Sequence, residues 1–171
     1  MIHVESLSAE QAAAHLPELV ELLQDAVNSG ASLGFLPPLT EATALAYWHG
    51  VIPDLAQQTR LLLVARQAGR IVGMVQLELA TRPNALHRAE VQKLCVATHC
   101  RNQGIGQSLM VAVEAQARDL GRTLLVLDTR QGDAAEGLYM KLGYTRAGVI
   151  PAYARSADGS LQATVIFYRL L

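Results

Sequence analysis

The junction between Val96 and Gln107 constrains this chain more than any other segment. A strand-like run, Arg88–Val96, is followed by Arg101-Asn102-Gln103-Gly104-Ile105-Gly106-Gln107. A helix then runs to about Leu120, with Ile105, Leu109, Met110, Val113, Ala117 and Leu120 on one apolar stripe. Two glycines therefore stand where the chain enters its longest amphipathic helix. A helix N-terminus carries unpaired N–H groups and a partial positive charge, and glycine lets an anion approach the backbone closely. The pattern predicts a seat for a diphosphate group. It is not a P-loop, because no Lys follows Gly106. Nor is it a dinucleotide fingerprint, because Leu109 stands where the third small residue belongs and the strands before it read as antiparallel.

Around this junction the sequence predicts an α/β fold with a mixed, mostly antiparallel sheet. His3–Glu5 reads as a short strand. Ser8 then opens a helix that continues to Val27, with Leu16, Leu19, Val20 and Leu23 on one face and Pro17 marking a kink or a restart. Asn28–Pro38 is a Gly-, Ser- and Pro-rich loop that also carries Leu33, Phe35 and Leu36, so it packs either as a lid on the core or as the wall of a ligand pocket. Thr40 caps a second helix, Glu41 to about Gly50. Strand-like runs follow at Arg60–Arg66, Arg70–Ala80, Arg88–Val96 and Thr123–Asp128. Gln67-Ala68-Gly69 and Thr81–Leu86 turn the first three into a meander, whereas the helix between the third and fourth demands a parallel crossover. A short helix at Asp133–Leu142 and two strands, about Tyr144–Ile150 and Ala163–Leu170, close the chain.

Composition removes several function classes. With 14 Lys and Arg against 15 Asp and Glu, the net charge is −1, which offers no built-in attraction for nucleic acid. The start of the chain lacks the basic flank and apolar core of a secretion signal, and no apolar run is long enough to span a membrane, so a cytoplasmic protein without membrane partners is expected. The two cysteines, Cys95 and Cys100, would lie about 16 Å apart along an extended chain and read as reduced thiols. None of the five histidines has metal-ligand spacing, so no metal is expected.

Four linked motifs carry a resemblance. These are Leu94-Cys95-Val96, Arg101-x-x-Gly104-x-Gly106, Leu124–Asp128, and Leu138-Tyr139-x-x-Leu142-Gly143-Tyr144. Together, over about residues 60–170, they resemble the GNAT superfamily of acetyl-CoA-dependent N-acetyltransferases. Gly30–Phe35, Arg88–Leu94 and Asp128-Thr129 are similar to its tabtoxin-resistance branch. The resemblance implies one GNAT domain over residues 1–171. Residues 1–58, a strand and two helices, would shape the acceptor site, and residues 59–171 would form the acetyl-CoA-binding core, its sheet splayed at the cofactor cleft.

It also implies roles. Backbone groups of Leu94, Cys95 and Val96 would pair with pantetheine, and an N–H near Val96 would meet the developing oxyanion. The stretch Arg101, Asn102, Gln103, Gly104, Ile105, Gly106 and Gln107 would hold the diphosphate. Tyr139 would protonate the departing CoA thiolate; with a phenol near pKa ~10 and a thiol near ~8.5, this requires a positioned hydrogen bond rather than a strong acid. Glu90 and Asp128 would share the work of binding the acceptor amine and removing its proton. Glu90 would share a strand face with Gln92 and Leu94 by simple alternation. Phe35, Tyr47, Trp48 and Tyr153 would line the acceptor pocket. Many members carry Asn seven residues before the tyrosine; here that position is Gly132, so that side-chain contact to CoA is missing. The expected reaction is direct transfer of acetyl to an amine of a small molecule, an amino-acid-like or β-lactam antimetabolite, in a resistance role. The readings set against it are peptide or protein N-acetylation and a non-catalytic acyl-CoA sensor. The family's habit implies a homodimer.

Overall fold

The computed structural model describes residues 2–171. Seven strands form one sheet in the order β1-β2-β3-β4-β5-β7-β6. They are β1 (Ile2–Leu7), β2 (Arg60–Gln67), β3 (Arg70–Leu79), β4 (Arg88–Val96), β5 (Leu124–Arg130), β6 (Thr145–Arg155) and β7 (Leu161–Leu170). Every neighbouring pair is antiparallel except β4 and β5, which the crossover helix α4 (Ile105–Asp119) joins in parallel. The α/β class and the mixed, mostly antiparallel sheet are as the sequence predicts.

The helices before β2 differ from expectation in number. The Ser8–Val27 segment is two helices, α1 (Ala9–Ala14) and α2 (Leu16–Asn28), so three helices rather than two precede β2. Ser8 caps α1 with a reciprocal Ser8–Gln11 capping box. The chain breaks at His15, and Pro17 sits in the first turn of α2, where its missing N–H costs nothing. The third helix, α3 (Glu41–Ala56), is capped by Thr40 and runs through Pro53 instead of stopping near Gly50. The final strands are also longer than predicted: β6 reaches Arg155 and β7 starts at Leu161.

Helices α3 and α4 cover opposite sheet faces. Gln76 of β3 meets Tyr47 of α3, whereas a Cβ on Gly73 would lie 3.1 Å from Ile105 Cγ2 and 3.1 Å from Leu109 Cδ1 of α4. Only glycine lets α4 come this close to β3. One buried core runs through both faces, from Leu7 and Leu19 to Leu125 and Phe167.

Candidate active site

Strands β4 and β5 pair only through Arg88–Glu90 and Leu124–Val126. Beyond that they diverge, and a cleft of about 850 Å³ opens between them. Residues 90–96 form one wall, Asp128–Arg130 the other, and the loop 29–36 closes one side. Both ends of that loop are tied down. Arg130 donates to the Gly30 carbonyl (3.0 Å) and Arg101 to Ser29 Oγ (2.7 Å), while Asn28 Oδ1 accepts from the Leu39 N–H (2.8 Å).

A β-bulge shapes the β4 wall. Met74 pairs with Cys95 and Gln76 with Gln92, so Val75 alone stands opposite Lys93 and Leu94. Lys93 takes up the extra residue with φ 53°. The bulge changes which residues share a face. Glu90 and Gln92 lie together as alternation predicts, but Cys95 joins them and Leu94 turns to the α4 side. The expected grouping of Leu94 with Glu90 is therefore corrected.

Glu90 is solvent-accessible but held in place. Its Oε1 accepts from Gln92 Nε2 (3.0 Å), and the same Gln92 nitrogen donates to Glu78 Oε2 (2.8 Å). Behind them Arg60 donates to Gln92 Oε1 (3.0 Å), Gln76 Oε1 (2.9 Å) and Glu78 Oε2 (3.0 Å). A guanidinium thus organises three side chains behind Glu90, and Glu90 forms no ion pair with Arg88 or Lys93 among the described residues.

Opposite, Asp128 lies within β5 rather than at its end. Its Oδ2 accepts from Thr164 Oγ1 of β7 (2.7 Å), which fixes the carboxylate across the strand pair. Tyr139 projects from α5 (Ala134–Lys141) into the cleft lining. It is 6% exposed and packs against Tyr144 and Phe167, with each pair of ring centroids 5.8 Å apart. Burial, then the carboxylates of Asp128 and Asp133, push its pKa above the usual phenol range. Its hydroxyl keeps its proton and can only donate or share it.

The turn before α4 fits a phosphate group. Asn102 and Gly104 both have positive φ (62° and 79°), and Gly104 is an N-cap with no side-chain cap. A Cβ on Gly104 would meet nothing within 4 Å, so the approach to the backbone is open. The first amides of α4, on Ile105, Gly106 and Gln107, carry no intrahelical bond. Asp25 of α2 anchors the turn: its carboxylate accepts from the Thr98 N–H (2.7 Å) and Thr98 Oγ1 (2.8 Å). The Val96 carbonyl is already engaged by Arg101 Nε at 3.3 Å. At the other mouth of the cleft, the Gly132 N–H donates to Glu136 Oε1 (2.6 Å), and Asp133 accepts from Arg130 (3.0 Å) instead of capping α5.

The cleft gathers Glu90, Asp128, Tyr139, Phe35 and Tyr153 together with Leu94–Val96, Arg101, Asn102, Gly104, Ile105 and Gly106. Gln103, in the turn, and Gln107, in the first turn of α4, flank this lining. Trp48 is a correction to the predicted acceptor pocket: it is 0% exposed, because on α3 its indole points into the core beside Ala44 and Val51. Tyr47 is also off the cleft surface. Its hydroxyl donates to Gln76 (2.9 Å) and its ring braces Phe35 edge-on at 5.4 Å. The sequence reading passed over Gln92, Lys93 and Thr164, all cleft-lining; for Lys93 no signal existed, since the bulge depends on the β3 partner. Cys95 and Cys100 are free and buried, and burial pushes the Cys95 thiol up to about 12, away from nucleophilic use. Among the described residues no group of three or more His, Cys, Asp or Glu could hold a metal ion, and no helix is long and apolar enough to cross a membrane.

A splayed sheet with an uncapped, glycine-entered helix at the base of its gap is the architecture of an acyltransferase that uses coenzyme A, and comparison with known proteins agrees. Residues 58–146 match the acetyltransferase (GNAT) domain. An uncharacterized N-acetyltransferase of Azospirillum brasilense, from the hisH-hisA intergenic region, is 36% identical over 118 residues, 68% of each chain. Among solved structures, an N-acetyltransferase from Staphylococcus aureus Mu50 superposes with a TM-score of 0.82 at 15% identity, over 99% of this chain and 98% of that one. The yncA protein of Salmonella typhimurium, solved with its cofactor acetyl-CoA, superposes with a TM-score of 0.79 at 18% identity, over 100% and 94%. The chain belongs to the GNAT acetyltransferase family, whose members use acetyl-CoA, and it is an N-acetyltransferase of that family.

Proposed function

We propose that this protein transfers the acetyl group of acetyl-CoA directly to an amine of a small molecule. The observation that carries this reading is the divergence of β4 and β5 beyond Glu90–Val126, which leaves one carboxylate, Glu90, on one wall and another, Asp128, on the other. Acetyl-CoA, when bound, supplies a thioester acyl group. Leu94–Val96 offer backbone groups to the pantetheine arm, and the amides of residues 102–107 offer donors to the diphosphate.

The acceptor amine is protonated at neutral pH and must lose a proton to attack. Glu90 and Asp128 are the groups that take it, directly or through water, with Asp128 steadied by Thr164 and Glu90 by Gln92. Tyr139 keeps its proton for the departing sulfur. Phe35 and Tyr153 frame the acceptor. The similarity to the tabtoxin-resistance branch extends the proposal to amino-acid-like or β-lactam acceptors, acetylated in the cytoplasm as a detoxifying step.

The test is thiol release from acetyl-CoA, screened over amino acids, dipeptides, aminoglycosides and β-lactams, with the N-acetyl product identified by mass. Release with a small amine supports the proposal. Release only with peptide N-termini contradicts it in favour of protein acetylation, and tight CoA binding without release on any amine contradicts it in favour of a sensor.

A further inference from the structure

Four basic side chains line the cleft: Lys93, Arg101, Arg130 and Arg155. Three are engaged. Arg101 bonds Ser29 and the Val96 carbonyl, Arg130 pairs with Asp133 (2.9 Å), and Arg155 donates to the Gly159 carbonyl (2.6 Å). Lys93 has no hydrogen-bond or ion-pair partner among the described residues. The bulge, at φ 53°, directs it to the acceptor side of β4, where Nζ stands 5.7 Å from the Tyr47 ring centroid and 5.9 Å from that of Phe35. Gly34 of the loop lies beside it: a Cβ there would be 3.5 Å from Nζ, an ordinary contact distance.

The two rings steady the ammonium from one side. They give it no hydrogen-bond acceptor, and an ammonium has three N–H donors to satisfy. Burial and the Arg60 guanidinium both disfavour its charge, while Asp128, Glu90 and Glu78 favour it without touching it. A part-buried, caged cation with nothing to bind is costly unless an anion or water meets it.

We infer that Lys93 is the anchor for an anionic group on the acceptor, so that the preferred substrate is an amine that also carries a carboxylate or a similar oxyanion. This rests on the acetyl-transfer reading above and narrows its substrate class. The amine of such a molecule meets Glu90 and Asp128, its anion meets Lys93, and the charges on the wall and on the substrate alternate in sign.

The experiment compares L-amino acids and dipeptides with their own primary amides, each pair differing only at the carboxylate. An α-amine is less basic in the amide, so chemistry at neutral pH favours the amide, and a preference for the free acid must come from binding. For the preferred pair, kcat/KM for the acid exceeds that for the amide by about tenfold or more, the scale of one charge-assisted hydrogen bond. In Lys93→Met this ratio falls to about one through a rise in KM for the acid, and Lys93→Arg keeps part of the preference. An acid-to-amide ratio at or below one in the native protein overturns the inference and leaves acetyl transfer standing. So does a Lys93→Met protein that keeps the native ratio while kcat falls equally for acids and amides, which would make Lys93 a proton carrier. Absence of thiol release with every amine overturns the acetyl-transfer reading and this inference with it.

Discussion

Glu90 pairs with Val126 in the last rung that β4 and β5 share, and one further step along the same face of β5 stands Asp128. The two carboxylates therefore flank the point where the sheet parts. Replacing either with its amide, Glu90→Gln or Asp128→Asn, keeps its shape and removes its basicity. Loss of a general base costs about 100-fold or more in kcat. The carboxylate that takes the proton will show that loss, and the one that only orients the amine will show mainly a higher KM. Steady-state kinetics on both variants decide between the roles, and undiminished kcat/KM in both would remove the carboxylates from the mechanism.

Tyr139 is buried, and its pKa is raised by burial and by Asp128 and Asp133, so it stays protonated through the neutral and mildly alkaline range. Tyr139→Phe should lower kcat by about 100-fold with little change in CoA affinity. The alkaline limb of the rate profile should not report this phenol, so the variant keeps the pH dependence of the native protein. A Tyr139→Phe enzyme with native kcat contradicts a proton-donating role.

Asp25 holds the turn before α4 through two bonds to Thr98. Asp25→Ala should loosen the amides of residues 102–107 and raise the Kd for CoA by about tenfold, as expected for the loss of charge-assisted hydrogen bonds. Calorimetric titration of the variant with CoA checks this, and an unchanged Kd would separate the turn from cofactor binding.

Trp48 sits in the core, not at the acceptor site. Trp48→Ala should destabilise the fold by about 3–5 kcal/mol. Trp48→Phe should lower stability less and leave the acceptor KM as in the native protein. A changed KM in Trp48→Phe would return this side chain to the pocket.

Much of this architecture was legible in the sequence. Strand periodicity and the Gly-entered amphipathic helix follow from local patterns, whereas Glu90, Asp128 and Tyr139 are singled out by the family resemblance. What escaped depends on partners distant in the chain. The bulge at Lys93 exists because β3 supplies one residue against two, so period-two alternation misassigned Leu94. Trp48 and Tyr47 look alike as neighbouring aromatics on one helix, yet helix rotation sends the first inward and lets the second brace Phe35. The tether of Asp128 to Thr164 joins residues that only the β5–β7 pairing brings together.

Alkaline stability offers a check on the core. Burial raises Cys95 from 9.0 to about 12 and Tyr47 from 10.0 to about 12. A raised folded-state pKa means that the unfolded chain loses its proton first, so the stabilisation is whole below the unfolded pKa and is lost as pH rises through the folded one. Urea midpoints should fall from about pH 9 upward. Cys95→Ala lowers stability overall and makes that decline shallower; a slope identical to the native protein's would contradict the burial of the thiol.

The central claim is that coenzyme A lies in the gap between β4 and β5. The direct measurement is a crystal structure of the protein with CoA. The diphosphate should sit against the amides of residues 102–107, with the pantetheine arm running along Leu94–Val96 toward Tyr139. A CoA molecule bound outside this gap, with the cleft filled only by solvent, would contradict the account.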